Sequence, residues 1–407
     1  MDHTMQNSFN SSAGEQKTSA QPRFKRNIKW SATAVVAAIL ALSAWAVSSP
    51  IGSSPDDDYH NVSIWCGQGF RDGLCEEGTN GGAVVSETLR ANYLCFASRP
   101  ENSGACEPSN LFAETTRVNG GENPRIFYWA TSWFAGPDIT SSIISVRIAN
   151  SVIIVSLFAL AMLALPLHLR RVPLISVVAT SVPLGLFIIP STNPSSWGYS
   201  ALLVLFPAVV GFLSTDQLRP RLALGSIAVV SILMTAGSRP DSALYAIIAI
   251  AVALILTLKF SRLRKSFVFV GSVLSAIGLY LFISSGNTSA VLSGAPGGGL
   301  TFPSIRGTFY NLLRLPDLIV GAFGSWGLGW LDTPLPSSVW AVTFGIYSAL
   351  LFGAIRYFTV RQSIALALVF SALLAIPMFA LHASGLVVGQ FVQPRYLLPL
   401  LGLMLAV

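Results

Sequence analysis

Long apolar runs separated by short polar connections dominate the chain. At about 1.5 Å of rise per residue, a helix needs roughly 20 mostly apolar residues to cross a bilayer. Runs of that order lie at 30–49, 143–167, 172–190, 198–215, 222–237, 243–258, 266–285, 339–355, 363–383 and 396–407. The pattern predicts an all-α polytopic membrane protein with about 9–10 transmembrane helices. Runs 222–237 and 243–258 are barely long enough, so a re-entrant hairpin is an alternative there. Run 396–407 is short and stops at Val407, the expectation for a piece of a longer protein. Residues 1–29 read as a disordered cytoplasmic tail. No clear cleavage site follows run 30–49 beyond a weak Ala-Val-Ser-Ser at 46–49, so that run reads as an uncleaved anchor.

Composition narrows the picture. Of 407 residues, 52% are hydrophobic and 11% charged, against roughly 25% charged in soluble domains. Mean hydropathy is +0.62. A cytosolic enzyme and a nucleic-acid reader are thereby excluded, despite the net charge of +7. With the N-terminus inside, the inner segments hold 15 Lys and Arg against three acids, and the outer side holds 10 against 15. The basic excess is therefore topological, as the positive-inside rule requires. Membrane lipids are the expected partners, and nucleic acid is not.

Two large loops then face outward, 50–142 and 286–338, both within a membrane domain spanning 30–407. The first holds all four cysteines, Cys66, Cys75, Cys95 and Cys106. An even count in one short outer region predicts disulfides. Of three connectivities, Cys66–Cys75 with Cys95–Cys106 is favoured because both close short loops. The second loop opens with a flexible run at 293–299. An apolar stretch follows, Leu312 to Leu328, interrupted by Arg314, Pro316 and Asp317. It fits an interfacial helix, or a segment dipping partway into the membrane.

Candidate chemistry collects on the outer side. Pro55-Asp56-Asp57-Asp58-Tyr59-His60 follows the first span. Three adjacent carboxylates can raise one another's pKa, bind a divalent cation or supply a general base. A solvated acidic turn is the alternative. Asn123 to Trp129 mixes a turn with aromatics, which also suits an interfacial belt. Arg147 sits inside an apolar run, where a charge faces a cavity or partner, or snorkels to headgroups. Arg239 and Asp241 join two short spans, lining a polar cleft or pairing in a turn. Trp326, Trp330 and Asp332 lie in a Gly- and Pro-rich segment suited to a sugar face or to an interfacial loop. Arg395 and Tyr396 precede the last run, where an arginine can clamp a phosphate or anchor to headgroups. No phosphate-binding Walker loop and no Gly-x-Ser-x-Gly occurs. The spans are nearly free of charge, which speaks against ion-coupled transport.

In order, these motifs resemble a bacterial family of polytopic membrane proteins known as domain of unknown function 2142. Its Pro-Asp-Glu-x-x-His signature stands here as Pro55 to His60, with Asp57 for the Glu. Its Asn-Pro-Pro-x-x-Tyr segment is Asn123 to Tyr128, with Arg125 for the second Pro. Gly-Trp-x-Asp-x-x-x-Pro matches Gly329 to Pro336. Gly-Arg-Tyr-x-x-Pro appears as Pro394 to Pro399, with Pro394 for the Gly. The family's layout is similar in turn to the glycosyltransferase C superfamily. That likeness implies an inverting glycosyltransferase in the bacterial inner membrane. It would move a sugar from a polyprenyl-phosphate donor to a cell-envelope glycan acceptor on the outer face. It implies Asp56 or Asp57 as base, and Arg395 with Arg239 on the donor phosphate. Trp326 and Trp330 would shape the sugar site, with His60, Asp332 and Tyr396 as further substrate contacts. Mg or Mn at Asp56 and Asp58 is an optional cofactor. The competing readings are a flippase for a lipid-linked glycan and a non-catalytic envelope assembly protein.

Overall fold

The computed structural model describes residues 21–106, 109, 111–257, 265–286, 305–390 and 392–407. Most of the N-terminal tail, the basic connection 258–264 and the glycine-rich run 293–299 lie outside the described residues.

The first span is α1 (Gln21–Ser48). It stops one residue before Pro50's neighbour Ser49, whose helical conformation that proline disfavours. Then come α2 (Asp57–Trp65), α3 (Glu87–Ala91) and α4 (Arg125–Thr131), all short. Next is the long α5 (Ile139–Ala164), capped by Asp138, whose carboxylate accepts from the Ser141 N–H. Helices α6 (Arg171–Thr180) and α7 (Leu186–Ile188) are halves of one span. They are separated by a wide turn at Ser181–Gly185, where Pro183 has no N–H to continue the ladder. The bundle continues with α8 (Ser195–Ser214), α9 (Leu218–Ala236), α10 (Pro240–Thr257) and α11 (Lys265–Ile283). It closes with α12 (Ile305–Val320), α13 (Ser337–Ile355), α14 (Val360–Ser384) and α15 (Leu398–Ala406).

Among the described residues, seven helices are long and apolar enough to cross a membrane: 139–164, 167–188, 195–214, 218–236, 240–257, 337–355 and 360–384. Three shorter apolar helices, 32–48, 271–283 and 394–406, complete the set of runs legible in the sequence. The segments weighed as a re-entrant hairpin are α9 and α10, each a helix of crossing length. Helix α8 is the hub, buried almost all round and packed on α5, α9, α10 and α15. A helix apolar on every face belongs in such a central position.

The first large loop carries a small sheet that the apolar pattern did not announce. Strands β1 (Glu76–Glu77), β2 (Ala83–Ser86) and β3 (Phe112–Thr115) pair antiparallel in that order. Ala83 and Val85 turn inward from β2. Both expected disulfides are present, Cys66–Cys75 and Cys95–Cys106.

Helix α12 is amphipathic in an uncommon sense. Asn311, Leu315 and Leu318 face the bundle, and Asn311 bonds the Leu386 carbonyl and the Val388 N–H, each at 2.9 Å. Ile305, Phe309, Leu312 and Leu313 are exposed. This helix covers the stretch for which the sequence suggested an interfacial helix, and it begins upstream of Leu312.

The described residues of the connections 49–106, 111–138, 189–194, 237–239, 284–286, 321–336, 385–390 and 392–397 gather at one end of the bundle. They touch one another there: the Phe127 N–H donates to Gly237, the Gly286 N–H to Gly121, and the Trp330 indole to Gly52.

Candidate active site

The acidic triplet opens α2, where carboxylates are favoured by the unpaired N–H groups of the first turn. Its three members go three ways: Asp56 sits left-handed ahead of the helix, and Asp57 and Asp58 take its first two positions, about 100° apart. Asp57 turns inward and is fully buried. It accepts from the Ser54 N–H at 2.9 Å and the Thr192 hydroxyl at 2.9 Å. Arg147 stands 4.0 Å away. Burial pushes the Asp57 carboxyl up to about 6, against the pull of Arg147 and those two bonds. Asp58 is clasped by Arg117, whose Nη2 donates at 3.0 Å. Asp56 alone of the three is open, with 38% of its side chain exposed. It sits at φ 61°, a left-handed conformation that Asp tolerates better than most residues. Burial would raise its carboxyl, but Arg395, then His60 and Arg117, outweigh that and hold it below the usual carboxylate range.

Arg147 neither snorkels nor faces a cavity. It is buried, and its guanidinium donates to the carbonyls of Ala46, Ser49 and Pro50 and to Ser53 Oγ. It thus closes the C-terminal end of α1, whose last carbonyls have no helical partner.

Arg395 crosses to Asp56 from the other end of the sequence, with Nη2 at 2.8 Å from Oδ2. The same nitrogen lies 3.1 Å from the Tyr396 hydroxyl, and Nη1 donates to Gln393. The Tyr396 ring has two guanidinium neighbours, Arg239 at 4.0 Å and Arg395 at 4.8 Å from its centre. Such stacking suits a delocalised cation. Arg239 also pairs with Asp241 at 2.9 Å, so the turn pairing and the polar site coexist.

His60 lies beneath this cluster. Its Nδ1 is 2.9 Å from the Tyr128 hydroxyl. Burial, with Arg239, Arg395 and Arg117 nearby, pushes the imidazole down to about 3 despite the Asp56 charge. It is neutral at physiological pH. Burial raises Tyr128 well above the normal phenol range, so its hydroxyl keeps its proton and pairs with Nδ1. Tyr59 points to the loop 117–123, its hydroxyl 3.0 Å from Asn119 Oδ1 and 3.2 Å from Glu122 Oε2.

A narrow cleft adjoins Asp56. Pro55, Trp326, Gly327, Pro394 and Arg395 line it. Trp330 and Asp332 act elsewhere. The Trp330 indole donates to Gly52 at 2.8 Å and its ring stacks on Tyr93 at 4.3 Å. Asp332 accepts from the Ser98 N–H at 2.7 Å. Together they clasp the two large loops. Gly329 at φ 64° permits this turn, since a Cβ there would meet the Asp332 carboxylate at 2.8 Å.

Asp56 and Asp58 do not fit a metal. Each is already matched with a guanidinium, and no group of three or more His, Cys, Asp or Glu able to hold an ion occurs among the described residues. Three contributors went unmarked in the sequence: Arg117, Thr192 and Asn193, the last holding the Pro55 carbonyl at 2.8 Å. A buried Ser191-Thr192-Asn193 between two apolar runs was the available signal.

The architecture defines a polytopic membrane protein with a charged cluster gathered at one end of its bundle. Residues 39–404 match the model of a predicted membrane protein family, DUF2142, and the chain belongs to that family. No curated protein and no solved structure matches it.

Proposed function

We propose that this protein is an integral-membrane glycosyltransferase of the bacterial inner membrane. It takes a sugar from a polyprenyl-phosphate donor and passes it to a cell-envelope acceptor on the outer face. The observation that carries the reading is Asp56: an ionised carboxylate, exposed, beside a cleft lined by Trp326 and opposite the buried Arg395.

In this reaction Asp56 takes the proton of the acceptor hydroxyl as its oxygen attacks the anomeric carbon. The bond from that carbon to the phosphate oxygen breaks, and the phosphate leaves with the electron pair. Attack from the face opposite the leaving group inverts the centre. Arg395 faces the developing phosphate charge, where a fixed cation lowers the barrier. Neutral His60, its Nδ1 paired with Tyr128, packs under the cluster as a positioning residue. Asp57 is a positioning residue in this scheme, because its carboxylate is enclosed by Ser54, Thr192 and Arg147.

Purified protein in nanodiscs, offered a panel of polyprenyl-phosphate sugars and envelope acceptors, tests the reading. Transfer that falls about 10²–10⁴-fold in Asp56→Asn, as loss of a general base does, supports it. Absence of transfer from every donor by intact wild-type protein, with movement of the intact lipid across the bilayer, replaces it with a flippase.

A further inference from the structure

The cations of the cluster are already paired with carboxylates, and Arg117 also stands 3.7 Å from Asp56. Arg395 holds Asp56, Arg117 holds Asp58, and Arg239 holds Asp241. An incoming phosphate therefore meets no surplus positive charge among these three. It gains an arginine only by displacing a carboxylate, and the three pairs differ in how easily that happens. Arg239–Asp241 and Arg117–Asp58 are each joined through two nitrogens. Arg395 meets Asp56 through Nη2 alone. Its Nε is buried and has no partner among the described residues, although the side chain is only 3% exposed.

Nε and Nη2 form one edge of the guanidinium, the edge that grips an oxyanion with two parallel bonds. Asp56 occupies half of it. Arg395 is also a lining residue of the cleft beside Trp326 and Pro394, so a ligand seated there lies against its side chain.

We infer that Asp56 is a built-in stand-in for the donor phosphate: the phosphate takes the Nε and Nη2 edge of Arg395 and turns Asp56 out of that pair, leaving it Arg117 as its remaining cation. This rests on the glycosyltransferase reading for the identity of the anion. Donor binding then activates the base. With Arg395 engaged by phosphate, Asp56 loses its strongest cation and becomes a better proton acceptor. An acceptor arriving before the donor finds the base still tied down.

The test is binding, independent of turnover. A fluorescent polyprenyl phosphate in nanodiscs and inorganic phosphate in detergent are titrated into wild type, Asp56→Asn, Asp56→Gly and Arg395→Lys. Asn and Gly both accept the left-handed conformation, so each removes the charge without adding backbone strain. Removing the competing carboxylate tightens binding roughly 10–100-fold, the worth of one charged hydrogen bond. Arg395→Lys weakens it tenfold or more, because an ammonium has no two-pronged edge. Tightening with both probes assigns the site to phosphate in general, and tightening with the lipid probe alone assigns it to the membrane-borne form. Equal or weaker binding in the Asp56 variants overturns the exchange. A wild-type structure with polyprenyl phosphate bound provides a second test: Asp56 and Arg395 separated beyond hydrogen-bonding distance supports exchange, and an intact pair ends it. Exchange without sugar transfer sinks the enzyme reading and leaves this inference standing; transfer without exchange does the reverse.

Discussion

Asp56 and Asp57 are neighbours in sequence and opposites in the fold. The pair around Asp57 is dry: Arg147 is fully buried, and carboxylate and guanidinium are each tied to surrounding backbone. The pair around Asp56 has one buried partner and one open one. A dry pair fixes geometry, because removing either member leaves a charge without water or partner. A half-open pair is free to exchange partners. One step along the chain therefore separates a closed pair from a half-open one.

The sharpest way to break this contrast is to swap the effects of the two aspartates. Asp56→Asn loses sugar transfer by about 10²–10⁴-fold while its melting temperature in detergent stays near wild type. Asp57→Ala is the mirror image: about 3–5 kcal/mol of stability is lost, as for one member of a buried pair, with expression and thermal melting reporting it. An Asp57→Ala protein that is as stable as wild type and inactive would erase the distinction.

Arg147→Met comes next. It strands Asp57 and uncaps the end of α1, so it costs a similar few kcal/mol. Combining it with Asp57→Asn recovers part of the loss, and a double-mutant cycle measures that coupling. Full additivity would show that the 4.0 Å pair carries no weight.

The pH dependence sharpens the contrast further. Asp57 has a folded pKa near 6, above its ordinary 3.8, so it favours the fold at low pH and loses that contribution as pH rises from about 4 to 6. His60, pushed down to about 3, acts oppositely: stability rises with pH up to its unfolded value near 6.5. In wild type the two slopes oppose between about pH 4 and 6. Asp57→Asn removes one, and the stability slope becomes more positive by up to about 1.4 kcal/mol per pH unit. Unchanged slopes in a pH series of chemical denaturation would discard the Asp57 assignment. The smallest effect belongs to the loop clasp. Trp330→Phe keeps the stack on Tyr93 but loses the bond to Gly52, about 0.5–1.5 kcal/mol, read as a small drop in melting temperature.

Much of this was legible in the chain. The apolar runs correspond to the helices because membrane-crossing length and hydropathy are written locally, and both disulfides close loops short enough to read. The triplet was visible as a cluster. Its division of labour was not, because that depends on which way α2 is turned against Thr192, Arg147 and Arg395. The repulsion expected among three carboxylates is answered by three separate cations, two of them far off in sequence. Arg117 carried no local signal, sitting in a polar loop like many other arginines. The sheet was missed because strands of two to four residues show too little alternation. Trp330 and Asp332 bond Gly52 and Ser98, backbone groups that no side-chain pattern reveals.

The bond between Asp56 and Arg395 spans 339 positions of the chain. A ribosome threading this protein into a bilayer makes the carboxylate first and its arginine near the last of the described helices. Every intervening span must be inserted in the right direction before the two ends of that bond meet. The pair thus depends on the direction of every span between its two members: one span misoriented, and Arg395 emerges on the face opposite Asp56.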